Sequence, residues 1–591
     1  MSEVAIRDDA DRREPTAEDG IEPGSEPESE PGSEPGVDLG APGVAAMLAL
    51  AAGAGGCSSG GGSGGGGGPA PMTVEVPTEP VAPAITSREE AARFLTQATF
   101  GPTEDEIDRL MAIGYDAWFQ EQFNSGPSTQ IDYLISLNAL PIPPRNARID
   151  AWWRNAMVGP DQLRQRMAFA LSQIFVVSQN DLGSDRERAG LAHYYDHLTR
   201  GAFGNYREVL EEVTLSPIMG RYLSHIRNEK PDPARNIRPD ENYAREVMQL
   251  FSIGLVELEL DGTVRTDLSG DPIPTYDQAI IEGYAHVFTG WTYNDVTNWR
   301  RNGDDLITRM KAFEDFHDTG PKTLLGGVTL PAGRTAAEDL ADALDSLFMH
   351  PNVAPFICRQ LIQRFVTSNP TPAYVQRVAA RFEDNGDGVR GDFKAVLRQL
   401  LLDDEARNGP TLMPTTFGKL KEPLLKQTQL WRAFRANAFN GLFQFGNPER
   451  DFGQAPLRAP SVFNFYPPDF RQPGPIDSAG LDSPEFAILT ESTTTATTNR
   501  FYQHTFNRWF GRSNVDGDDV LINIDREMSL INDPDALLDR LSLLLLAGDM
   551  PADMRTILRD HINATSASNP ADRVLETLYL IINSPDFAVQ R

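Results

Sequence analysis

The chain has 591 residues, of which 40% are hydrophobic and 23% charged, a composition typical of globular proteins. Its formal net charge is −31, and residues 1–46 contribute −10 of this. Because an acidic surface repels the phosphates of nucleic acids, we expect no nucleic-acid partner. Because the length exceeds that of most single domains, we expect either two lobes, at 87–330 and 331–591, or one large helical domain.

The first segments of the chain are predicted not to fold. Residues 22–36 read EPGSEPESEPGSEPG, an acidic Pro/Gly/Ser repeat that has nothing to bury. We therefore predict a disordered segment over residues 1–42. Residues 58–86 are rich in glycine, serine and proline, as in a flexible linker. The folded body is predicted to span residues 87–591.

Residues 43–57 form a short apolar segment that ends at Cys57. It is too short to cross a bilayer, which takes about 20 residues, but it suits a secretory signal. Small residues before a cysteine, with a Gly/Ser tether after it, look like a bacterial lipoprotein processing site, so Cys57 is the predicted lipidation site and membrane anchor. Ser58, rather than an aspartate, is typical of outer-membrane retention.

The predicted location is therefore the cell envelope or the exterior, most simply as an outer-membrane lipoprotein. One feature favours the alternative, a cytoplasmic protein with an acidic leader. The residues before the apolar run are acidic, whereas export signals begin with basic residues.

From residue 87 onward the apolar residues recur at helical spacing, which predicts a mainly α body with many helices. Ser87 and Thr103 each begin a capping-box pattern, and Gly114 predicts the end of the second helix. Apolar residues after Asp161 predict another helix. Further helices are predicted at 205–227, 240–253, 276–288, 336–348, 352–367, 372–383, 392–402, 417–436, 484–508, 535–547 and 571–583.

Strand patterns are sparse, so only minor β structure is expected. The best candidate is 255–264, LVELELDGTV, where Asp261-Gly262 predicts the turn of a small hairpin. The proline-rich and aromatic stretch 447–475 is predicted to be a long ordered loop on the surface or an insert that wraps around the core.

Nine ordered segments carry a resemblance to a known family: AARFLTQATFG (91–101), LRQRMAFALSQIFVVS (163–178), AFGNYREVLEEVTLSPIM (202–219), ENYAREVMQLFSIG (241–254), FTGW (288–291), HDTGPKTLLG (317–326), GKLKEP (418–423), PSVFNFY (460–466) and SPDFAVQ (584–590). With them the chain resembles the bacterial domain-of-unknown-function-1800 family, large helical proteins that are usually exported. The resemblance covers the whole predicted body. It implies a helical fold and export, but no reaction.

The helix at 240–253 carries the first candidate site. Glu241 and Arg245 lie four residues apart, as do Asn242 and Glu246, which places two polar pairs on adjoining rows of the helix. We hypothesise that Glu246 is an acid, a base or a ligand and that the other three residues bind a partner. The alternative is an ordinary solvated helix face.

A second candidate lies in the turn-rich segment HDTGPK. His317, oriented by Asp318, is a candidate catalytic pair, and Lys322 would bind an anion or developing negative charge. The alternative is that these side chains bond loop backbone groups. If this segment and the 241–246 helix line one pocket, Trp291 beside it would indicate sugar stacking.

No motif in the sequence matches a metal site in full. His193 and His197 share a helix face, but Tyr194 stands where a zinc protease has glutamate. In EDNGDGVRGD, residues 383–392, Asn385 and Asp387 imitate a calcium loop, yet its twelfth position is Lys394, where an EF-hand has glutamate. We therefore predict a tight turn between two helices, with calcium at Asn385 and Asp387 as the alternative.

Two functions of different class follow. The first is a lipid-tethered envelope protein that binds or assembles with an envelope protein or a polysaccharide. The second is an exported hydrolase that acts on envelope or extracellular polymers through an acidic, histidine-containing cleft. Convergence of the two candidate segments on one pocket would favour the hydrolase.

Overall fold

The computed structural model describes residue 80, residues 82–565 and residues 570–591. The predicted disordered segment, the apolar segment with Cys57 and most of the linker lie outside the described residues. The first described helix begins at Arg88, where the Ser87 hydroxyl accepts a hydrogen bond from the Glu90 amide at 3.2 Å. The domain limits and the two lobes stay predictions.

The fold is mainly α, as the periodicity predicts. Helices follow one another from residue 88 to residue 588, with the longest connection between Val287 and Ala336. The described helices are α1 (Arg88–Ala98), α2 (Glu104–Asn124), α3 (Gln130–Ser136), α4 (Ala147–Val158), α5 (Gln162–Ser172), α6 (Asp185–Gly201), α7 (Tyr206–Leu215), α8 (Pro217–Tyr222), α9 (Asn242–Gln249), α10 (Gln278–Val287), α11 (Ala336–Phe348), α12 (Val353–Phe365), α13 (Pro372–Glu383), α14 (Phe393–Leu402), α15 (Asp404–Leu412), α16 (Pro423–Ala433), α17 (Pro448–Phe452), α18 (Pro475–Ser478), α19 (Glu491–Tyr502), α20 (Asp525–Ser529), α21 (Pro534–Leu546), α22 (Ala552–Ala564), α23 (Pro570–Ile582) and α24 (Pro585–Ala588).

The β structure is minor, also as predicted. Each strand of the described residues is two residues long and pairs antiparallel with one partner. The pairs are β1 (Trp291–Thr292) with β2 (Lys311–Ala312), β3 (Lys322–Thr323) with β4 (Thr329–Leu330), and β5 (Lys419–Leu420) with β6 (Val589–Gln590).

The predicted hairpin at 255–264 is present and extends further. Single antiparallel bridges join Leu258 to Val264 and then Thr266 to Pro272, so the chain turns twice, first at Gly262 and again at Gly270. Both glycines have positive φ, which glycine adopts without steric cost.

Several helix boundaries differ from the sequence prediction; the predicted helix 417–436, for example, begins only at Pro423, because Lys419–Leu420 forms β5. The predicted helix 205–227 is divided into α7 and α8, because Pro217 lacks the amide hydrogen that would continue the first helix. Gly114, with φ of 75°, bends α2 rather than ending it. The Thr103 capping box is complete, whereas the Glu90 carboxylate accepts the Thr86 amide at 2.9 Å instead of closing a box on Ser87.

One large apolar cluster runs through the body from α1 to α24, beside a small satellite cluster around Tyr133 and Leu134. The segment 454–459 lies inside the protein, so the stretch 447–475 includes an insert into the core rather than a purely surface loop. Backbone carbonyl groups of this insert find hydrogen-bond donors in the interior. The Leu457 carbonyl accepts a hydrogen bond from the Gln179 backbone amide at 2.8 Å, and the Ala459 carbonyl accepts one from the Ser178 hydroxyl at 2.7 Å.

Cys358 is fully buried on α12, as its apolar neighbours predict, and burial raises the pKa of its thiol. Across residues 82–565 and 570–591, no helix combines the length and the apolar character needed to span a bilayer.

Candidate functional site

The polar side chains at the start of α9 form a small surface cluster. Arg245 and Glu241 make the predicted ion pair at 3.1 Å, and the Gln278 amide at the start of α10 donates to the same Glu241 oxygen at 3.0 Å. Asn242 is exposed, and its backbone amide bonds the Asp240 carboxylate. These contacts stabilise the helix start by no more than about 1 kcal/mol each, because the groups are open to water.

Glu246 has a different environment from its helix neighbours. It is only 8% exposed, and its Oε2 atom has no hydrogen-bond partner in the described residues. Burial raises the pKa of Glu246 to about 7 against a small opposing effect of Arg245. The Glu246 carboxylate in turn contributes to the raised pKa values of two neighbouring phenols, Tyr222 and Tyr276. Glu246 is thus a carboxyl poised to exchange a proton near neutral pH.

Glu246→Gln is expected to stabilise the protein above pH 7. The pKa of this carboxyl is higher in the folded than in the unfolded state, so its contribution to stability is fully present below pH 4.5 and is lost as the pH rises through 7. The shift corresponds to about 3 kcal/mol at pH 8. Denaturant unfolding from pH 4 to pH 8 should show a flatter profile for the variant. Glu241→Gln is the surface control, and an equal pH dependence of Glu246→Gln and wild type would contradict the assignment.

The segment 317–322 forms part of a buried ionic cluster. His317 is fully buried, and its Nε2 atom lies 3.1 Å from Asp339 of α11, while Lys322 Nζ lies 2.7 Å from the same carboxylate. Arg334 adds a third contact to Asp339 at 2.7 Å. The partner that orients His317 is therefore Asp339 rather than the adjacent Asp318.

Asp318 bonds the His286 imidazole at the end of α10 instead. This hydrogen bond lowers the pKa of Asp318 to about 2. Gly290 allows the chain around it to lie close to His317. Its φ is +86°, and a Cβ at this position would lie 2.9 Å from His317 Cβ. Trp291, next to Gly290, is buried in β1 and does not offer an open stacking surface.

Helix α10 stands between the two candidate segments. Gln278 contacts the α9 cluster and His286 contacts Asp318, and these residues are about 12 Å apart along a helix that rises 1.5 Å per residue. In the described residues the two candidate segments therefore form two separate hydrogen-bonded groups. The group around Glu241 is open to water, and the group around His317 is buried. The catalytic and binding roles assigned from the sequence stay predictions.

A larger polar cluster, at which four of the quoted sequence motifs meet, lies in the protein interior. Arg166 of α5 donates to the Arg364 carbonyl at 2.7 Å, and Arg364 donates to the Gln173 carbonyl at 3.1 Å. Gln173 Nε2 then donates to Glu422 at 2.7 Å. We call it the motif network; its members are Arg166, Gln173, Arg364, Lys419, Glu422, Tyr466, Glu485 and Gln590.

An ion pair and the strands β5 and β6 supply the remaining contacts of the motif network. Lys419 Nζ lies 2.9 Å from Glu485 and donates to the Arg364 carbonyl at 2.9 Å. Gln590 Nε2 donates to the Phe365 carbonyl at 2.7 Å. Burial lowers the pKa of Arg364 and raises that of Glu485, against the opposing effect of Lys419. Buried charges of this kind have to be paired, so the network joins distant parts of the chain.

Sequence reasoning did not single out the residues of the motif network, although all of them except Arg364 and Glu485 lie within the quoted motifs. The sequence did contain an indication: Arg166 precedes the apolar run MAFAL, and Lys419, Lys421 and Glu422 lie close together in GKLKEP. Charges at positions of a buried face predict an internal partner.

The candidate calcium residues lie in a tight turn between α13 and α14. Asn385 Oδ1 accepts the Asp387 amide at 2.9 Å, and Asn385 Nδ2 donates to Asp392 at 2.9 Å. In the part of the chain that the structure covers, no group of three or more His, Cys, Asp or Glu side chains is arranged to hold a metal ion. Calcium at Asn385 and Asp387 stays a hypothesis without support from this geometry.

The fold is that of a large helical protein, and the motif network places paired charges in its interior. The chain belongs to the DUF1800 family, described as proteins of unknown function, whose model matches residues 93–589. No curated protein and no solved structure is detectably similar to it. The match to the family model confirms the resemblance that the sequence motifs indicate.

Proposed function

We propose that this protein is an exported, lipid-tethered component of the cell envelope whose helical body binds or assembles with an envelope protein or a polysaccharide. The observation that carries the proposal is the sequence of residues 43–68: an apolar run, small residues before Cys57, and a Gly/Ser tether. An outer-membrane lipoprotein is the proposed form.

The environment of two candidate residues, His317 and Lys322, supports a binding role over a reaction. His317 and Lys322 are buried and bonded to Asp339, so a polymer has no access to them. A general acid or base has to reach the proton that it transfers. Among the candidate catalytic and binding residues, Glu241, Asn242 and Arg245 at the start of α9 are the ones most open to water, which suits recognition at a surface.

Cys57→Ala is expected to release the protein from the membrane fraction, because it removes the only atom that could carry the lipid in this segment. Cell fractionation with labelled fatty acid measures both anchoring and lipidation. Ser59→Ala is the matched control, since it alters the tether and keeps the cysteine. Equal cytoplasmic fractionation of wild type and Cys57→Ala would reject export and favour an acidic leader.

The exported hydrolase remains a second candidate because of Glu246. Its carboxyl is buried with a pKa raised to about 7, and its Oε2 atom has no hydrogen-bond partner in the described residues, which suits general acid catalysis. Its charge also acts on the phenols of Tyr222 and Tyr276. Hydrolysis of envelope or extracellular polymers by wild type, lost in Glu246→Gln without loss of stability, would support it.

A further inference from the structure

A pocket of about 210 Å³ adjoins the motif network, where the start of α16 meets α19 and the turn between α23 and α24. Apolar side chains line one part of it, among them Leu420, Phe501 and Ile582. Two lysines, Lys421 and Lys426, line another part. We call this the lysine pocket.

Lys426 has no counter-ion in the structure. It is 7% exposed, and within the described residues its ammonium group has neither a hydrogen-bond nor an ion-pair partner. Burial alone lowers the pKa of Lys426 to about 8. Glu485 is the carboxylate among the residues that line the pocket. Its Oε1 atom lies 2.9 Å from Lys419 Nζ, and its Oε2 atom is buried without a hydrogen-bond partner in the described residues.

Lys421 increases the positive charge of the same pocket. Its Nζ atom donates to Gln429 at 2.7 Å and lies 4.0 Å from the centre of the Phe587 ring. Burial and then repulsion from Lys426 lower the pKa of Lys421. Two ammonium groups that repel each other in a water-poor site are unfavourable until an anion joins them.

We propose that the lysine pocket binds a small organic anion, with its acidic group beside Lys426 and its carbon skeleton against Phe501 and Ile582. Thr494 and Thr498, one turn apart on α19, add hydroxyl donors to the pocket wall. The volume equals that of about seven water molecules, so the ligand is of the size of a short-chain acid. This inference goes beyond the proposed envelope role and does not depend on where the protein is located.

The test is calorimetric titration of the full chain at pH 7 with hexanoate, hexyl phosphate, hexanol and inorganic phosphate. Hexanoate or hexyl phosphate is expected to bind, and comparing them separates a carboxylate from a phosphate ligand. Lys426→Met should weaken binding at least tenfold. Lys230→Met, which removes an exposed lysine far from the pocket in sequence, should leave the affinity unchanged.

Lys426→Met is expected to fold, because methionine fills a similar volume and removes an unpaired buried charge. Its melting temperature at pH 7 should therefore equal or exceed that of wild type, whereas hexanoate should raise only the wild-type value. Three results would each overturn the proposal: no binding of any probe, equal affinity of wild type and Lys426→Met, or hexanol binding as tightly as hexanoate.

Discussion

Replacing Asp339 with asparagine is expected to lower the free energy of unfolding by about 3 to 5 kcal/mol, the cost of leaving buried partners without their counter-charge. Asp339 is fully buried and holds Lys322, His317 and Arg334 within 3.1 Å. Lys322 is itself buried, so its ammonium group would remain in the interior without an anion. Denaturant unfolding monitored by circular dichroism measures the loss.

Asp342→Asn is the matched control for Asp339→Asn. Asp342 bonds the same Arg334 side chain but is about half exposed, so its loss should cost about 1 kcal/mol or less. A difference between the two variants below 1 kcal/mol would mean that the cluster around Asp339 is not a stabilising ionic site.

Breaking the ion pair of Lys419 and Glu485 is expected to have an effect of similar size. The two side chains are 1% and 2% exposed and their charged atoms are 2.9 Å apart. Lys419→Met should therefore cost about 3 to 5 kcal/mol at neutral pH. The cost should fall at lower pH, since burial raises the pKa of Glu485 and the unpaired carboxyl can take up a proton.

A double-mutant cycle tests whether the pair acts as a unit. Lys419→Met combined with Glu485→Gln should be more stable than Lys419→Met alone, because no unpaired charge remains inside. The exposed pair Arg435 and Asp105 serves as comparison, and Arg435→Met should cost about 1 kcal/mol or less. Strict additivity of the Lys419 and Glu485 substitutions would contradict the coupling.

Much of the fold could be predicted from the sequence because helical periodicity and capping are local. The limits of α11 and α13 match the predicted 336–348 and 372–383, where Thr335 and Thr371 cap the helices. The prediction was wrong at 205–227, where a proline divides the helix, and at Gly114, where a bend replaces an end. In both cases the indicative residue was visible in the sequence.

The candidate sites were less predictable because side-chain partners depend on tertiary contacts. The ion pair of Glu241 and Arg245 follows from their spacing on one helix. Nothing local indicates that His317 bonds Asp339, 22 residues further on, or that Glu246 is buried while Asn242 is exposed. The lysine pocket was missed for the same reason, since Lys426 and Phe501 meet only in the folded chain.

Gln590, a residue of β6, sets the time at which the motif network can be completed during synthesis. Gln590 bonds the Phe365 carbonyl across 225 positions of sequence. At roughly 5–20 residues per second, a ribosome takes about 10 to 45 s to make that intervening chain. For this interval the charges of the motif network lack part of their surroundings and the core stays open.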